Sequence, residues 1–315
     1  MPAAVVDGIR TRYEVTGSGP PILLFSPGGF NGALDNWTSF GIYRRLNLLA
    51  HLQARYTCIA FDKRESGESG GRIESPAWRD YAAQGAGLLD HLGVDRAHLL
   101  GGCIGCSIAV AFAVAQPERT ASMVLYSPAG GPKYRLTQHR RFAEHLAYVE
   151  QEGLAAVVSL AAGSEASFAQ DPRVGPWASV IRSDPAFAGE YADWDAARYR
   201  SLVGEMARTL FDRDTVPGAE PEQLMQLEIA TLVVPGNDPS HATSAARYLE
   251  ECLPRSEYWD VAVDAQTAAS LAGRLEAAAQ ARLGRSLAIL HVDSGFSHVV
   301  AGIGAEVTSS PDSPS

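Results

Sequence analysis

Several short, almost wholly apolar runs limit what this chain can fold into. They are Pro21–Phe25 (PILLF), Tyr56–Phe61 (YTCIAF), Ala97–Leu100 (AHLL), Ser122–Tyr126 (SMVLY) and Ile229–Val234 (IATLVV). Each has the length of a buried strand and is closed by turn residues such as Ser26-Pro27-Gly28-Gly29 or Pro235-Gly236-Asn237-Asp238. Helix-like segments lie between them: about Ile42–Ala54, Trp78–Leu92 with Gly93 as its stop, a small-residue helix running to Gln116 before Pro117, and Thr243–Leu253. Strands alternating with helices predict an α/β fold, with a mostly parallel central sheet flanked by helices on both faces. The opening, Val5–Val15, reads as an antiparallel hairpin around Asp7-Gly8. Ser256–Val261 reads as a last clear strand and Ala265–Ala281 as an Ala-rich helix; Leu287–Val292 is a further candidate strand.

The pattern changes at about Gly130. From there to Glu222 the chain has helical periodicity broken by Pro and Gly, many aromatics including Trp177, Tyr191 and Trp194, and no good strand. The expected organisation is therefore a core from 1–130 and 223–284, a helical insertion over 131–222 lying across one end of the sheet, and a C-terminal tail, 285–315, whose small and polar ending partly frays.

Composition excludes several classes of partner. Apolar residues are 46% of the chain and charged residues 20%, which suits a globular domain with a sizeable core. The net charge is -10 with no cluster of Lys or Arg, so nucleic acid is not an expected partner. No apolar run approaches the roughly 20 residues that a membrane span needs. The start lacks a basic segment followed by an apolar one, so no export signal is read. Cys58, Cys103, Cys106 and Cys252 are too sparse for a disulfide framework, and a reducing cytoplasm is the expected location. Oligomeric state is not legible.

Between the Ala97–Leu100 run and the small-residue helix stands Gly101-Gly102-Cys103-Ile104-Gly105. A G-x-C-x-G element joining strand to helix holds its central residue in a tight turn, where flanking side chains would clash. The helix behind it aims its amides and positive end at that residue, which lowers a thiol pKa and stabilises an oxyanion. Cys103 is thus a candidate nucleophile. Cys103 and Cys106 also form a Cys-x-x-Cys, but no second pair or His-x-His spacing supports zinc, and Cys106 is read as packing in the first helical turn.

In these segments the chain resembles the α/β-hydrolase superfamily over nearly all of residues 3–283. "ILLFSPGGF" is similar to the family's oxyanion-hole turn, with Pro27-Gly28 where many relatives have His-Gly. "FDKRESGESG" is similar to its Asp-x-Arg-Gly-x-Gly-x-Ser turn, and "LLGGCIGCSIAVAFAVAQPERTASMVLYSP" to the nucleophile elbow with its helix and following strand. The resemblance implies that the insertion is a cap domain. It also implies an oxyanion hole from the backbone amides of Ile104 and Gly29, or of Phe30 if the turn is offset by one. Most relatives carry Ser at the nucleophile position and some Asp; dienelactone-hydrolase-like members carry Cys. A Cys forms a thioester intermediate suited to activated esters, lactones, thioesters or acyl transfer.

The resemblance places the acid at Asp238, after the Ile229–Val234 run. It places the base in the loop after the last strand, here Ala262–Gln266, which contains no His. Two substitutes are available. His241 lies three residues after Asp238 in the same loop, and is favoured. His298, in Gly295-Phe296-Ser297-His298, would need the tail to fold back. A thiolate activated by the helix alone is the third option. The expected activity is cofactor-independent hydrolysis of a small carboxylic ester, lactone or related acyl compound, with no metal. Acyl transfer and C–C bond hydrolysis are alternatives on the same fold, and a catalytically weak binding protein is the alternative from another class.

Overall fold

The computed structural model describes residues 2–267, 269–271 and 273–274. The chain divides into two units, Met1–Ala268 and Ala269–Ser315. The described residues of the second are helical. Most of the expected Ala265–Ala281 helix, the Leu287–Val292 strand, the 285–315 tail and His298 lie outside the described residues.

The first unit opens with β1 (Ala3–Val6) and β2 (Ile9–Thr16), an antiparallel pair turned at Asp7-Gly8. Both turn residues have positive φ, 48° and 71°, as a two-residue hairpin with right-handed twist requires. Then come β3 (Pro21–Phe25), β4 (Thr57–Phe61), β5 (Ala97–Gly102), β6 (Thr120–Tyr126), β7 (Thr231–Val234) and β8 (Ser256–Tyr258). They form an eight-stranded sheet in the order β1-β2-β4-β3-β5-β6-β7-β8, parallel from β4 through β8. The apolar runs are its central strands. Leu23, Leu24, Leu99, Leu100, Leu125 and Val233 have no exposed surface. Each such side chain contributes roughly 1.5–3 kcal/mol of burial.

The core helices are α1 (Asn36–Ser39), α2 (Gly41–Leu46), α3 (Leu48–Gln53), α4 (Trp78–His91) and α5 (Gly105–Ala115). The expected helix over Ile42–Ala54 is two helices, α2 and α3, broken at Asn47. Its φ of 46° and ψ of 41° are left-handed, a conformation that Asn tolerates. The bend lets Leu46, Leu48 and Leu52 all bury. The strand expected to reach Val261 ends at Tyr258, because the Val261 amide turns back to the Trp259 carbonyl at 2.8 Å.

Residues 131–222 carry α6 (Pro132–Glu152), α7 (Leu154–Ala162), α8 (Ala178–Ser183), α9 (Pro185–Ala192), α10 (Ala196–Leu210) and the start of α11 (Pro221–Leu224), followed later by α12 (Thr243–Cys252). Aromatic rings join this helical segment to the core. Phe30, from the loop after β3, meets Phe142 of α6 at 5.5 Å between centroids and Phe168 at 5.4 Å, both edge to face. Among the described residues, no helix is long and apolar enough to cross a membrane.

Candidate active site

The site is built from loops at the ends of the parallel strands, where open α/β sheets place their ligands. β5 runs into α5 through Cys103, whose φ of 56° is left-handed and strained for a residue with a side chain. Three backbone hydrogen bonds hold it there. The Cys103 amide donates to the Tyr126 carbonyl at 3.1 Å, and its carbonyl accepts from Ala129 and Cys106, each at 3.2 Å. Gly105 is required two residues on, since a Cβ there would run into the Phe25 carbonyl. Sharp turn, strain and bracing together present the thiol at the start of α5.

The sulfur meets two backbone amides, those of Gly28 and Ile104. Ile104 is the expected donor. The second amide at the sulfur is that of Gly28, while Gly29 and Phe30, the other expected oxyanion donors, line the adjoining cavity. Gly28 (φ 118°) and Gly29 (φ 65°) are both left-handed, a backbone that favours glycine at both positions. A Cβ on Gly28 would overlap Asn36. The buried Asn36 amide donates to the carbonyls of Pro27 at 2.7 Å and Asn31 at 2.6 Å, clamping the turn from both ends.

Asp238 and His241 lie in the loop after β7. Asp238 Oδ2 accepts from His241 Nδ1 at 2.8 Å, and Oδ1 accepts from the amides of Ser240 at 2.8 Å and His241 at 3.1 Å. The carboxylate thus shapes the loop and orients the imidazole at once. The loop is fastened to the segment after β6 by the Gly130 amide donating to the Ser240 carbonyl at 3.0 Å. His241 Nε2 is buried and makes no hydrogen bond among the described residues. The imidazole couples electrostatically to the Cys103 thiol.

The electrostatics couple these groups. Burial opposes a thiolate at Cys103, but His241 and the amides of Gly28 and Ile104 outweigh it, so the thiol lies below its ordinary pKa. Burial also opposes charge on His241, yet Cys103 and Asp238 raise it to about 9. The proton therefore favours the imidazole. Cys106 behaves differently. Burial pushes its thiol far up, and its Sγ donates to the Gly101 carbonyl at 3.1 Å, a packed and protonated group.

The loop after β8 carries no His, and Gln266 stands there fully buried. Its amide donates to the carbonyls of Pro235 and Val261, both at 3.1 Å, and its oxygen accepts from the Tyr126 hydroxyl. Gln266 ties the post-β8 loop to the post-β7 loop that holds the histidine.

A narrow cavity adjoins the elbow. Ile104, Lys63 and Trp78 are among the core residues in its wall; Tyr134, Gln138 and Phe211 come from the helical segment and the loop that follows it. Sequence reasoning singled out none of these except Ile104. Lys63 falls inside a turn read only as a structural signature.

Beside the strained Cys103 turn and the β4-β3-β5-β6-β7-β8 run of parallel strands stands a sequence match: residues 20–174 match the α/β-hydrolase fold family. The chain has the α/β-hydrolase fold. A stretch of 127 residues is 37% identical to the dihydrolipoyllysine-residue acetyltransferase component of the acetoin cleaving system of Cupriavidus necator, covering 40% of this chain and 32% of that protein. Another, of 126 residues, is 36% identical to a 2-hydroxy-6-oxononadienedioate/2-hydroxy-6-oxononatrienedioate hydrolase of Paraburkholderia phymatum, covering 39% of this chain and 42% of that protein. The chain thus spans less than half the length of either. Among solved α/β-hydrolase structures, the enol-lactonase of Burkholderia xenovorans LB400 superposes with a TM-score of 0.57 at 18% identity, over 89% of this chain and 100% of that one. At that identity the likeness is one of fold.

Proposed function

We propose that the protein is a cofactor-independent hydrolase of small carboxylic esters, lactones or related acyl compounds, with Cys103 as nucleophile. The observation that carries this reading is the line Asp238–His241–Cys103, closed at 2.8 Å on the acid side and coupled to a thiol of lowered pKa on the other. In this scheme the Cys103 thiolate attacks the acyl carbon. The carbonyl oxygen takes up negative charge and accepts from the Gly28 and Ile104 amides. The His241 imidazolium gives its proton to the departing alkoxide, leaving a thioester. A water, losing its proton to the now neutral His241, attacks the thioester. The acid departs and the thiolate returns with the imidazolium. The helical segment would act as a cap that shapes the pocket for a small-molecule substrate, and a reducing cytoplasm would keep the thiol free.

Cleavage of a C–C bond next to a ketone is a second reading, favoured by relatives named as 2-hydroxy-6-oxononadienedioate/2-hydroxy-6-oxononatrienedioate hydrolases. It uses the same oxyanion site, with a carbon rather than an oxygen as leaving atom.

The test is release of p-nitrophenol from p-nitrophenyl acetate. The wild type turns over and Cys103→Ala loses at least a hundredfold in kcat/KM, the order set by removal of an activated nucleophile. Mass spectrometry of the quenched wild type finds the acetyl group on Cys103. Undiminished turnover in Cys103→Ala refutes the nucleophile.

A further inference from the structure

Among the described residues that line the cavity, Lys63 is the one cation. It is buried, follows β4, and is fixed at both ends. Its amide donates to the Gly32 carbonyl at 2.9 Å, beside the turn that carries Gly28. Its ammonium donates to the Arg64 carbonyl at 2.8 Å and lies 4.5 Å from the ring centre of Tyr81 and 5.6 Å from that of Phe30. Both rings belong to the cavity wall. Aromatic faces attract a cation but do not neutralise it.

Its ionic partner is shared. Glu65 Oε2 stands 3.7 Å away, beyond hydrogen-bonding distance, while Glu65 Oε1 accepts from Arg64 Nε at 2.6 Å. Arg64 reaches Glu74 with its other end. Both carboxylates thus bond Arg64, the second oxygen of Glu65 is left to a longer ion pair with Lys63, and Lys63 lines the cavity at the margin of this cluster. An ammonium has three N–H groups, of which one is spent on the Arg64 carbonyl. Burial draws Lys63 down to about 8, so it still carries charge at neutral pH, and an incoming anion would relieve the desolvation.

We propose that Lys63 anchors a carboxylate at the far end of the acyl substrate, so that the preferred substrates are half-esters, half-thioesters or equivalent monoacyl derivatives of small dicarboxylic acids. This rests on Cys103 acting at the near end. The cavity is narrow, which favours a short diacid over a long acyl chain. Its walls are otherwise aromatic and aliphatic, with Gln138 and Tyr134 as polar neighbours. In such surroundings a carboxylate without a cation would be strongly disfavoured, and one paired with Lys63 would exclude neutral competitors.

The experiment has an activity arm and a binding arm. In the first, the p-nitrophenyl monoesters of succinic, glutaric and adipic acids are compared with their p-nitrophenyl methyl diesters. The wild type favours at least one free acid by tenfold or more in kcat/KM. Lys63→Met lowers that ratio at least tenfold, largely through KM, and Lys63→Arg restores part of it. In the second, the full chain carrying Cys103→Ala binds the monomethyl ester of the same diacid by calorimetry, more tightly than the dimethyl ester, and Lys63→Met on that background loses the difference. A wild type that prefers the neutral ester at every length overturns the proposal, as does a preference that survives Lys63→Met. If no ester is hydrolysed, the nucleophile assignment fails, and the binding arm alone decides Lys63. If Lys63→Met does not fold, the charged-against-neutral comparison in the unmutated protein decides it.

Discussion

The Cys103 thiol and the His241 imidazole are electrostatically coupled, and their shifts have opposite signs. Cys103 is depressed below its ordinary value, because His241 and two amides together outweigh burial. His241 is raised to about 9 by Cys103 and Asp238, against burial. A depressed acid is ionised above its folded pKa, and a raised base stays protonated below its own. The thiolate–imidazolium pair therefore exists in the window from the lowered thiol pKa up to about 9 and is lost outside it. Alkylation of Cys103 by iodoacetamide should accordingly reach its plateau at a pH below the ordinary thiol range. His241→Ala should move the inflection upward by about one unit or more, each unit being about 1.36 kcal/mol of lost thiolate stabilisation. A titration of alkylation rate against pH, with the other cysteines followed by peptide mass, decides it; an unmoved inflection removes His241 from the site. At this scale the sequence was informative about residue type and less so about direction. The three-residue spacing of Asp238 and His241 pointed to a pair, and the structure brings them to 2.8 Å. That Gly28 rather than Gly29 reaches the sulfur depends on φ values that two adjacent glycines leave open.

Elements were legible where burial dominated. β3 matches its apolar run, and α5 starts at the glycine that lets it pack against the Phe25 carbonyl. Legibility failed where one residue changed the backbone: apolar spacing runs unbroken through Leu46, Leu48 and Leu52, and only the left-handed Asn47 divides α2 from α3. The turn after β3 depends on a residue that no motif marked. Asn36 bonds the carbonyls of Pro27 and Asn31 across the Gly28 turn, so it positions an amide without touching substrate. Asn36→Ala leaves two carbonyls without their donor, at a cost of about 1–3 kcal/mol, which lowers Tm by several degrees. If the Gly28 amide serves the oxyanion, kcat should fall about tenfold with KM little changed, since one decade is 1.36 kcal/mol of transition-state stabilisation. A purely structural role would lower Tm and leave kcat per folded molecule intact, so calorimetry and active-site titration separate the two.

The family match spans 20–174 and ends before β7, so it takes in the elbow and leaves out the loop with Asp238 and His241. The helical segment that completes the cavity follows its own rules of packing, and its interior holds a histidine with no part in the proposed chemistry. His145 of α6 is fully buried. Its Nδ1 lies 3.3 Å from the Arg173 carbonyl, an acceptor only, so Nδ1 carries the proton and Nε2 accepts from the Tyr199 hydroxyl at 2.7 Å. Tyr199 in turn bonds Tyr191. Burial lowers His145 to about 4, from the ordinary 6.5. A histidine whose folded pKa lies below its unfolded value binds fewer protons when folded, so its effect on stability is nil above about 6.5 and grows unfavourable as pH falls toward 4. The shift of about 2.5 units corresponds to roughly 3 kcal/mol at full protonation. Urea unfolding of the whole chain should therefore lose stability between neutrality and pH 4. In His145→Gln, which keeps a polar side chain but no titrating group, this part of the slope should be absent even though the variant is less stable at pH 7. Equal slopes in the two proteins would mean that acid loosens the fold through its carboxylates and not through this histidine.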